Sequence, residues 1–322
     1  MSEAVVTVEH LQTTFHTRIG PVRAVDDVSY AIGRGETLGI VGESGCGKSV
    51  TAFSLMRLIE PPGEITGGRV WLGGEDILAL PEERMAQMRG GRIAIIFQEP
   101  MTAFNPVLTI GYQMDEQIMR HLGVEKAESR ERAIEMLSLV GIPSPHERYA
   151  SYPHQLSGGM RQRAMIAMAL SCEPEFLIAD EPTTALDVTI QGQILELIQS
   201  LQEKLDMAVQ FITHDLGVIS EISDRVLVMY GGRTCETAPT AELMTTPRHP
   251  YSAALLKSIP RLGQRIERLP TIEGTVPSLY ELPPGCPFQN RCPNATRRCE
   301  EMPPLTEIAT GHSVACFHPV DP

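Results

Sequence analysis

The chain has 322 residues, 42% of them apolar and 21% charged, with a formal net charge of −13. That length and composition suit a globular protein with a large core and two unequal domains, and the acidic balance disfavours nucleic acid as a partner. The apolar runs fall short of the about 20 residues a membrane-spanning helix needs. The opening residues, MSEAVVTVEH, lack a basic segment followed by an apolar core, so the expectation is a cytosolic chain that meets a membrane only through a partner.

Residues 4–11 and 23–32 alternate apolar and polar side chains around the turn Ile19-Gly20-Pro21, which predicts antiparallel strands. Phe15, near the end of the first strand, offers an aromatic face to an adenine ring or, equally, to its own core. The apolar run at residues 36–41 reads as a buried strand. It leads into Gly42-Glu43-Ser44-Gly45-Cys46-Gly47-Lys48-Ser49, and residues 49–59 are apolar at helical spacing. Strand, glycine loop and helix in that order are the context in which this motif cradles phosphate. Gly42, Ser44, Gly45 and Gly47 let backbone N–H groups turn inward around an anion at the helix start. Lys48 can reach the β- and γ-phosphates, Ser49 can ligate Mg²⁺, and Val50 follows within the same nucleotide-contact set.

Residues 69–72 and 92–97 read as further strands, the second ending in Gln98-Glu99-Pro100. Gln98 at such an edge can reach Mg²⁺ or an attacking water. Residues 110–122 and 126–140 carry apolar side chains three and four apart, which predicts helices inserted into an α/β core. Leu156-Ser157-Gly158-Gly159-Met160-Arg161-Gln162-Arg163 opens another helix, with Ser157 as its N-cap. Ser157, Gly158 and Gly159 thereby form a second set of anion-facing donors. One nucleotide rarely needs two cradles from one chain, so the second is expected to serve a neighbouring subunit.

The strand at residues 176–180 ends in Asp180-Glu181. Successive side chains on a strand point opposite ways, so Asp180 can ligate Mg²⁺ while Glu181 activates water. The loop Thr184-Ala185-Leu186-Asp187 precedes a helix at residues 189–205. A strand at residues 207–213 ends at His214, whose imidazole can hydrogen-bond a γ-phosphate. Residues 224–230 and 233–237 read as a hairpin through Gly231-Gly232.

From Pro239 onward the chain holds 14 of its 25 prolines, which predicts an extended segment with little regular structure apart from a short helix at residues 251–258. Cys286, Cys292, Cys299 and Cys316 fall here with five, six and sixteen residues between them. Four thiolates suit an S₄ site for zinc or an iron–sulfur cluster; the spacing leaves the metal open. His312 and His318 are alternative ligands, and Cys46, Cys172 and Cys235 read as small apolar residues.

The set, order and spacing of these motifs resemble the ATPase subunit of an ATP-binding-cassette (ABC) transporter over roughly residues 4–260. The segments FQEPMTAFNP and YPHQLSGGMRQR and the cysteine-rich tail resemble its dipeptide/oligopeptide importer branch. The implied fold is an α/β P-loop NTPase cassette at residues 1–238, a RecA-like core with an antiparallel β subdomain and a helical subdomain at about 101–172. A Cys/Pro-rich C-terminal extension follows at 239–322. The implied activity is ATP hydrolysis that energises import of di- and oligopeptides, with nickel or glutathione import, a soluble ABC ATPase and a redox-sensing regulator as rivals. Two cassettes would pair head to tail, the phosphate loop of one and Ser157-Gly158-Gly159 of the other enclosing each ATP, with Asp187 in the contact set. Lys48, Gln98, Glu181 and His214 would be catalytic; Ser49, Gln98 and Asp180 would hold Mg²⁺. The four tail cysteines would hold a [4Fe-4S] cluster. The implied partners are a sister ATPase in a heterodimer, two integral-membrane permeases and an external substrate-binding protein, at the cytoplasmic face of the bacterial inner membrane. Met160 stands where the family more often has Gln, which weakens any side-chain role there but not that of the backbone donors.

Overall fold

A computed structural model describes residues 4–98, 103–183, 187–258 and 271–321. Parts of two expected motifs, residues 99–102 and 184–186, lie outside the described residues. In chain order come β1 (Ala4–Thr17), β2 (Gly20–Gly33), β3 (Thr37–Val41), α1 (Lys48–Leu55), β4 (Gly63–Leu72), β5 (Glu75–Asp76), α2 (Glu82–Met88) and β6 (Ile93–Ile96). There follow α3 (Ile110–Leu122), α4 (Lys126–Leu139), α5 (Pro145–Tyr149), α6 (Gly158–Leu170), β7 (Phe176–Asp180), α7 (Val188–Leu205), β8 (Ala208–Ile212) and α8 (Leu216–Ile222). The last are β9 (Arg225–Tyr230), β10 (Arg233–Pro239), α9 (Thr240–Thr245), α10 (Pro250–Lys257), β11 (Thr306–Ala309) and β12 (His312–Val314). The chain divides into two compact units: Gly33–Gly35 with Ala79–Gln210 in the first, and Val6–Ile32, Glu36–Leu78 and the chain from Phe211 onward in the second.

In the second unit β1 pairs antiparallel with β4, with Val6 opposite Leu72 and Phe15 opposite Gly63. Both hairpin strands run several residues beyond their predicted ends because the alternation of buried and exposed side chains continues through the polar tip. A second sheet in this unit runs in the order β11-β12-β10-β9-β3. Every residue of β3 is buried, as an apolar strand in parallel pairing requires, and it pairs parallel with β9 from Leu38 to Val41. Asp224 pins the start of β3, its carboxylate accepting from the Thr37 N–H at 2.8 Å. The Thr13 and Ser54 hydroxyls, 2.7 Å apart and buried, tie β1 to α1.

The proline-rich tail is more ordered than its composition predicts. β12 joins the sheet edge, with Glu236 of β10 opposite Val314, and β11 folds back on β12. The hairpin signal lies in the sequence Thr306-Glu307-Ile308-Ala309-Thr310-Gly311-His312, alternating residues before a glycine with φ 73°, and the proline count on either side hides it.

In the first unit β6 and β7 pair in parallel, Ile93 opposite Phe176 and Ile96 opposite Ala179. The Ala208 N–H at the start of β8 donates to the Glu175 carbonyl at 3.0 Å. α3 spans the residues its periodicity predicts, and Thr109 caps it by accepting from the Tyr112 N–H at 3.2 Å. A buried network holds the inserted helices: Asp115 of α3 accepts from Ser129 Oγ of α4 at 2.8 Å and from Tyr149 Oη of α5 at 2.5 Å. The Tyr149 ring lies so close over Gly111 that a Cβ there would stand 2.5 Å from it, so the glycine in the first turn of α3 is a packing requirement.

Candidate functional site

The phosphate loop of the second unit is shaped by steric exclusion. A Cβ at Gly42 (φ 155°) would collide with the Met229 carbonyl and the Cys46 sulfur, and a Cβ at Gly47 (φ 103°) with the Ala24 carbonyl. Only glycine fits either place. The turn of the β9–β10 hairpin braces the loop from below: the Gly232 N–H donates to the Cys46 carbonyl at 3.0 Å. Lys48, at the first position of α1 and buried, donates from Nζ to the Gly42 carbonyl at 2.7 Å and the Glu43 carbonyl at 3.2 Å. Ser44 and Gly45 are exposed on the loop, and Ser49 and Val50 are half-buried in the first turn of the helix. Cys46 is buried, as expected of a small apolar residue; burial raises its thiol pKa, against a smaller lowering by Lys48.

Phe15 is half-buried, its ring against Gly63 and beside Ile59. His214 is exposed just past β8. The next residue, Asp215, caps α8 by accepting from the Gly217 and Val218 N–H groups at 2.8 and 3.3 Å.

In the first unit the in-register pairing of β6 and β7 carries Gln98 and Glu181, each two residues past the last paired positions, to the same place. Gln98 Nε2 donates to Glu181 Oε2 at 3.0 Å. Asp180, the last residue of β7, is 2% exposed. Glu181 has φ 48°, a left-handed conformation that costs a non-glycine residue roughly 1–3 kcal/mol. Buried Gln162 of α6 donates from Nε2 to the Pro182 carbonyl at 2.5 Å, holding the strand end that carries both carboxylates. Sequence reasoning passed over Gln162; its only signal was a polar side chain on the apolar face of α6.

Ser157 caps α6 as predicted, Oγ accepting from the Met160 N–H at 3.3 Å, and Gly158 beside it is exposed while Gly159 is half-buried. Asp187 caps α7 in the same way, accepting from the Ile190 N–H at 3.0 Å. Both side chains mark helix N-termini whose free N–H groups favour an anion.

The tail cysteines converge. Cys286, Cys292, Cys299 and Cys316 line one cavity with His249, Phe288 and His318. Burial raises the pKa of Cys286 to about 11 and lifts Cys292 and Cys316 as well, with neighbouring cysteines adding to the rise. Four soft sulfur donors around one cavity match the chemistry of an S₄ centre. Yet among the described residues no group of three or more His, Cys, Asp or Glu is placed to hold a metal ion, so the zinc or iron–sulfur centre expected from the sequence has no formed ligand shell. His312 is corrected as a candidate ligand: it is buried and does not line this cavity, and both its ring nitrogens face carboxylates, Nε2 2.7 Å from Glu236 and Nδ1 3.3 Å from Glu242. His318 does line the cavity, though its Nε2 sits 2.7 Å from Thr296 Oγ1.

Comparison with known proteins agrees with the geometry. Residues 25–184 match the family described as ABC transporter, and residues 235–299 match the oligopeptide/dipeptide transporter C-terminal region. The chain is 50% identical to the dipeptide transport ATP-binding protein DppD of Bacillus subtilis over 98% of its own length and 95% of the relative's. The chain belongs to the ABC transporter ATP-binding family. It is also 49% identical to the oligopeptide transport ATP-binding protein OppD of Escherichia coli, over 99% of this chain and 95% of that one. Among solved structures it resembles the dimeric, post-hydrolysis ATP-binding cassette MJ0796 bound to ADP and phosphate, with a TM-score of 0.66 and 26% identity over 73% of this chain and 98% of that one. The family match accounts for the cassette fold with mixed α/β structure. No helix among the described residues is long and apolar enough to cross a membrane.

Proposed function

We propose that this chain is the ATP-hydrolysing subunit that energises import of di- and oligopeptides. The likeness to dipeptide and oligopeptide transport relatives carries the reading, because it extends over nearly the whole chain and through the cysteine tail as well as the nucleotide motifs. As a family ATPase it binds ATP, with residues 42–50 wrapping the triphosphate in backbone N–H groups, Lys48 neutralising the γ-phosphoryl group and Phe15 offering its ring to the adenine. The oxygen donors Ser49, Gln98 and Asp180 suit Mg²⁺, a hard cation that takes oxygen ligands, and would hold it; when bound it neutralises charge on the phosphates. Glu181 orients and polarises the attacking water, its geometry fixed by Gln98, and His214 hydrogen-bonds the γ-phosphate. In a head-to-tail pair the N-terminus of α6, with Ser157, Gly158 and Gly159, and Asp187 close over the partner's ATP, and hydrolysis reopens the pair.

We read residues 1–238 as the cassette, about 101–172 as its helical subdomain and 239–322 as the extension. The helical part meets the permeases: Val107, just before α3, and Tyr112, in its first turn, are large apolar side chains left 74% and 56% exposed, as at a docking surface. The partners are two membrane permeases, a sister ATPase in a heterodimer and an external binding protein, which puts the chain peripherally on the cytoplasmic face of the inner membrane. Cys286, Cys292, Cys299 and Cys316 would hold a [4Fe-4S] cluster with a structural role. Four soft sulfur donors lining one cavity support that reading, with zinc as the alternative occupant.

The test is reconstitution of the complex purified through this chain into liposomes. Peptide-loaded binding protein on the outer side is expected to stimulate ATP turnover and peptide uptake together. ATP turnover indifferent to peptide, nickel chelate and glutathione alike would overturn an importer role, and stimulation by nickel or glutathione alone would move the substrate class.

A further inference from the structure

Glu43 is the second residue of the phosphate loop, and each of its polar groups is anchored. Its N–H donates to Tyr251 Oη at 2.8 Å, and its carbonyl accepts from Lys48 Nζ at 3.2 Å. Its carboxylate is gripped by Arg291 in the tail: Nη1 to Oε2 at 2.6 Å and Nη2 to Oε1 at 3.1 Å. The Arg291 side chain is only 5% exposed. Its Nε donates to the Glu273 carbonyl at 3.0 Å, Nη2 to the Ile272 carbonyl at 3.4 Å and Nη1 to Tyr230 Oη at 3.2 Å. The guanidinium lies 5.8 and 5.9 Å from the ring centroids of Tyr230 and Phe288. Those rings and Tyr251 pack edge-on and tilted against one another, with centroids 4.7–5.2 Å apart. A bidentate, largely buried guanidinium–carboxylate pair has fixed geometry as well as charge.

A carboxylate in a loop built to hold a triphosphate opposes its ligand unless it is neutralised and turned aside. We propose that Arg291 is a positioning residue for ATP binding: it neutralises Glu43 and fixes the start of the phosphate loop, so that nucleotide affinity depends on the tail segment between Cys286 and Cys292. This deepens the reading of residues 42–49 as the nucleotide site and rests on it. Arg291 touches no reacting atom; it acts through Glu43. Its place is set by the short turn Gln289–Arg291, whose neighbour Cys292 lines the thiol cavity, and this gives the extension a role in the cassette's chemistry.

The experiment measures binding of a fluorescent MgATP analogue, steady-state kinetics and thermal unfolding on the full-length chain. Arg291→Ala is expected to weaken nucleotide binding by roughly 10- to 100-fold, since it leaves a largely buried charge uncompensated. KM should rise while kcat stays within about twofold of the parent. Arg291→Lys should recover part of the affinity, and Glu43→Gln added to Arg291→Ala should recover most of it by removing the stranded charge. An Arg291→Ala chain that melts earlier yet binds nucleotide like the parent would show a purely structural pair and overturn the proposal. So would an Arg291→Ala, Glu43→Gln double variant that binds no better than Arg291→Ala. A parent that binds nucleotide no better than Lys48→Ala would overturn the reading of the loop and this proposal with it, whereas a parent that binds well beside an Arg291→Ala that binds equally well overturns this proposal alone.

Discussion

Gln98 and Glu181 are hydrogen-bonded at 3.0 Å, amide to carboxylate, across 83 residues of sequence. The register of β6 against β7 brings them together, and the left-handed backbone at Glu181 turns its side chain out of the strand direction. A strained carboxylate held by an amide is a preorganised group, as a water-activating base has to be.

Glu181→Gln should therefore keep ATP binding and lower turnover by about 10²–10⁴-fold, the range for loss of a general base. Nucleotide binding and single-turnover hydrolysis measured on the same sample check this. Turnover near the parental rate would remove the role assigned to Glu181.

Lys48 spans the loop it belongs to, bonded to the Gly42 and Glu43 carbonyls. Lys48→Ala takes away both those bonds and the cation facing the phosphates, so nucleotide affinity should fall by at least about tenfold, each lost charged hydrogen bond being worth about 1.5–3 kcal/mol. Isothermal calorimetry reads it directly.

Ser157 separates two roles. Ser157→Ala removes the helix cap and should cost the isolated chain about 1 kcal/mol. Ser157→Asp keeps a good cap but sets a negative charge where the partner's triphosphate is expected. Its melting temperature should stay near the parent's while turnover of the assembled pair collapses. Equal turnover in the Asp variant would mean that this helix start never meets a phosphate.

Tyr149 donates to buried Asp115, and burial together with that carboxylate pushes its phenol up to about 12 from the usual 10. Between those values the unfolded chain has lost the proton and the folded chain has kept it, so the folded state binds more protons and stability falls as pH rises through this window. Tyr149→Phe should flatten that alkaline loss. At neutral pH it should cost about 1–3 kcal/mol, because Asp115 stays buried with one donor fewer. Chemical denaturation at neutral and alkaline pH measures both.

Chain purified without oxygen should carry about four irons with visible absorbance, one thiolate binding each iron. Cys286→Ser and Cys316→Ser should each lose the colour and lower the melting temperature while nucleotide binding persists in part. Metal analysis that finds neither iron nor zinc in the parent would leave the cavity as a cluster of free thiols.

The local features were written in the sequence. The glycine loop followed by Lys48 and Ser49, the cap Ser157, and the helix at Ile110–Leu122 each depend on a short window: a glycine where a Cβ would collide, a hydroxyl before a helix, an apolar stripe three and four apart. Long-range pairing lay beyond such windows. Glu43 and Arg291 are 248 residues apart, His312 and Glu236 are 76 apart, and the four cysteines meet only because the tail folds back. His312 looked like a metal ligand from its neighbourhood in sequence, and burial gave it to Glu236 instead. Residue type and spacing determined which groups carry charge, bend the chain or start a helix. Which of them are neutralised, strained or brought within bonding distance was decided by the tertiary structure, because electrostatics and exclusion act over ångströms between atoms, whatever the length of chain between them.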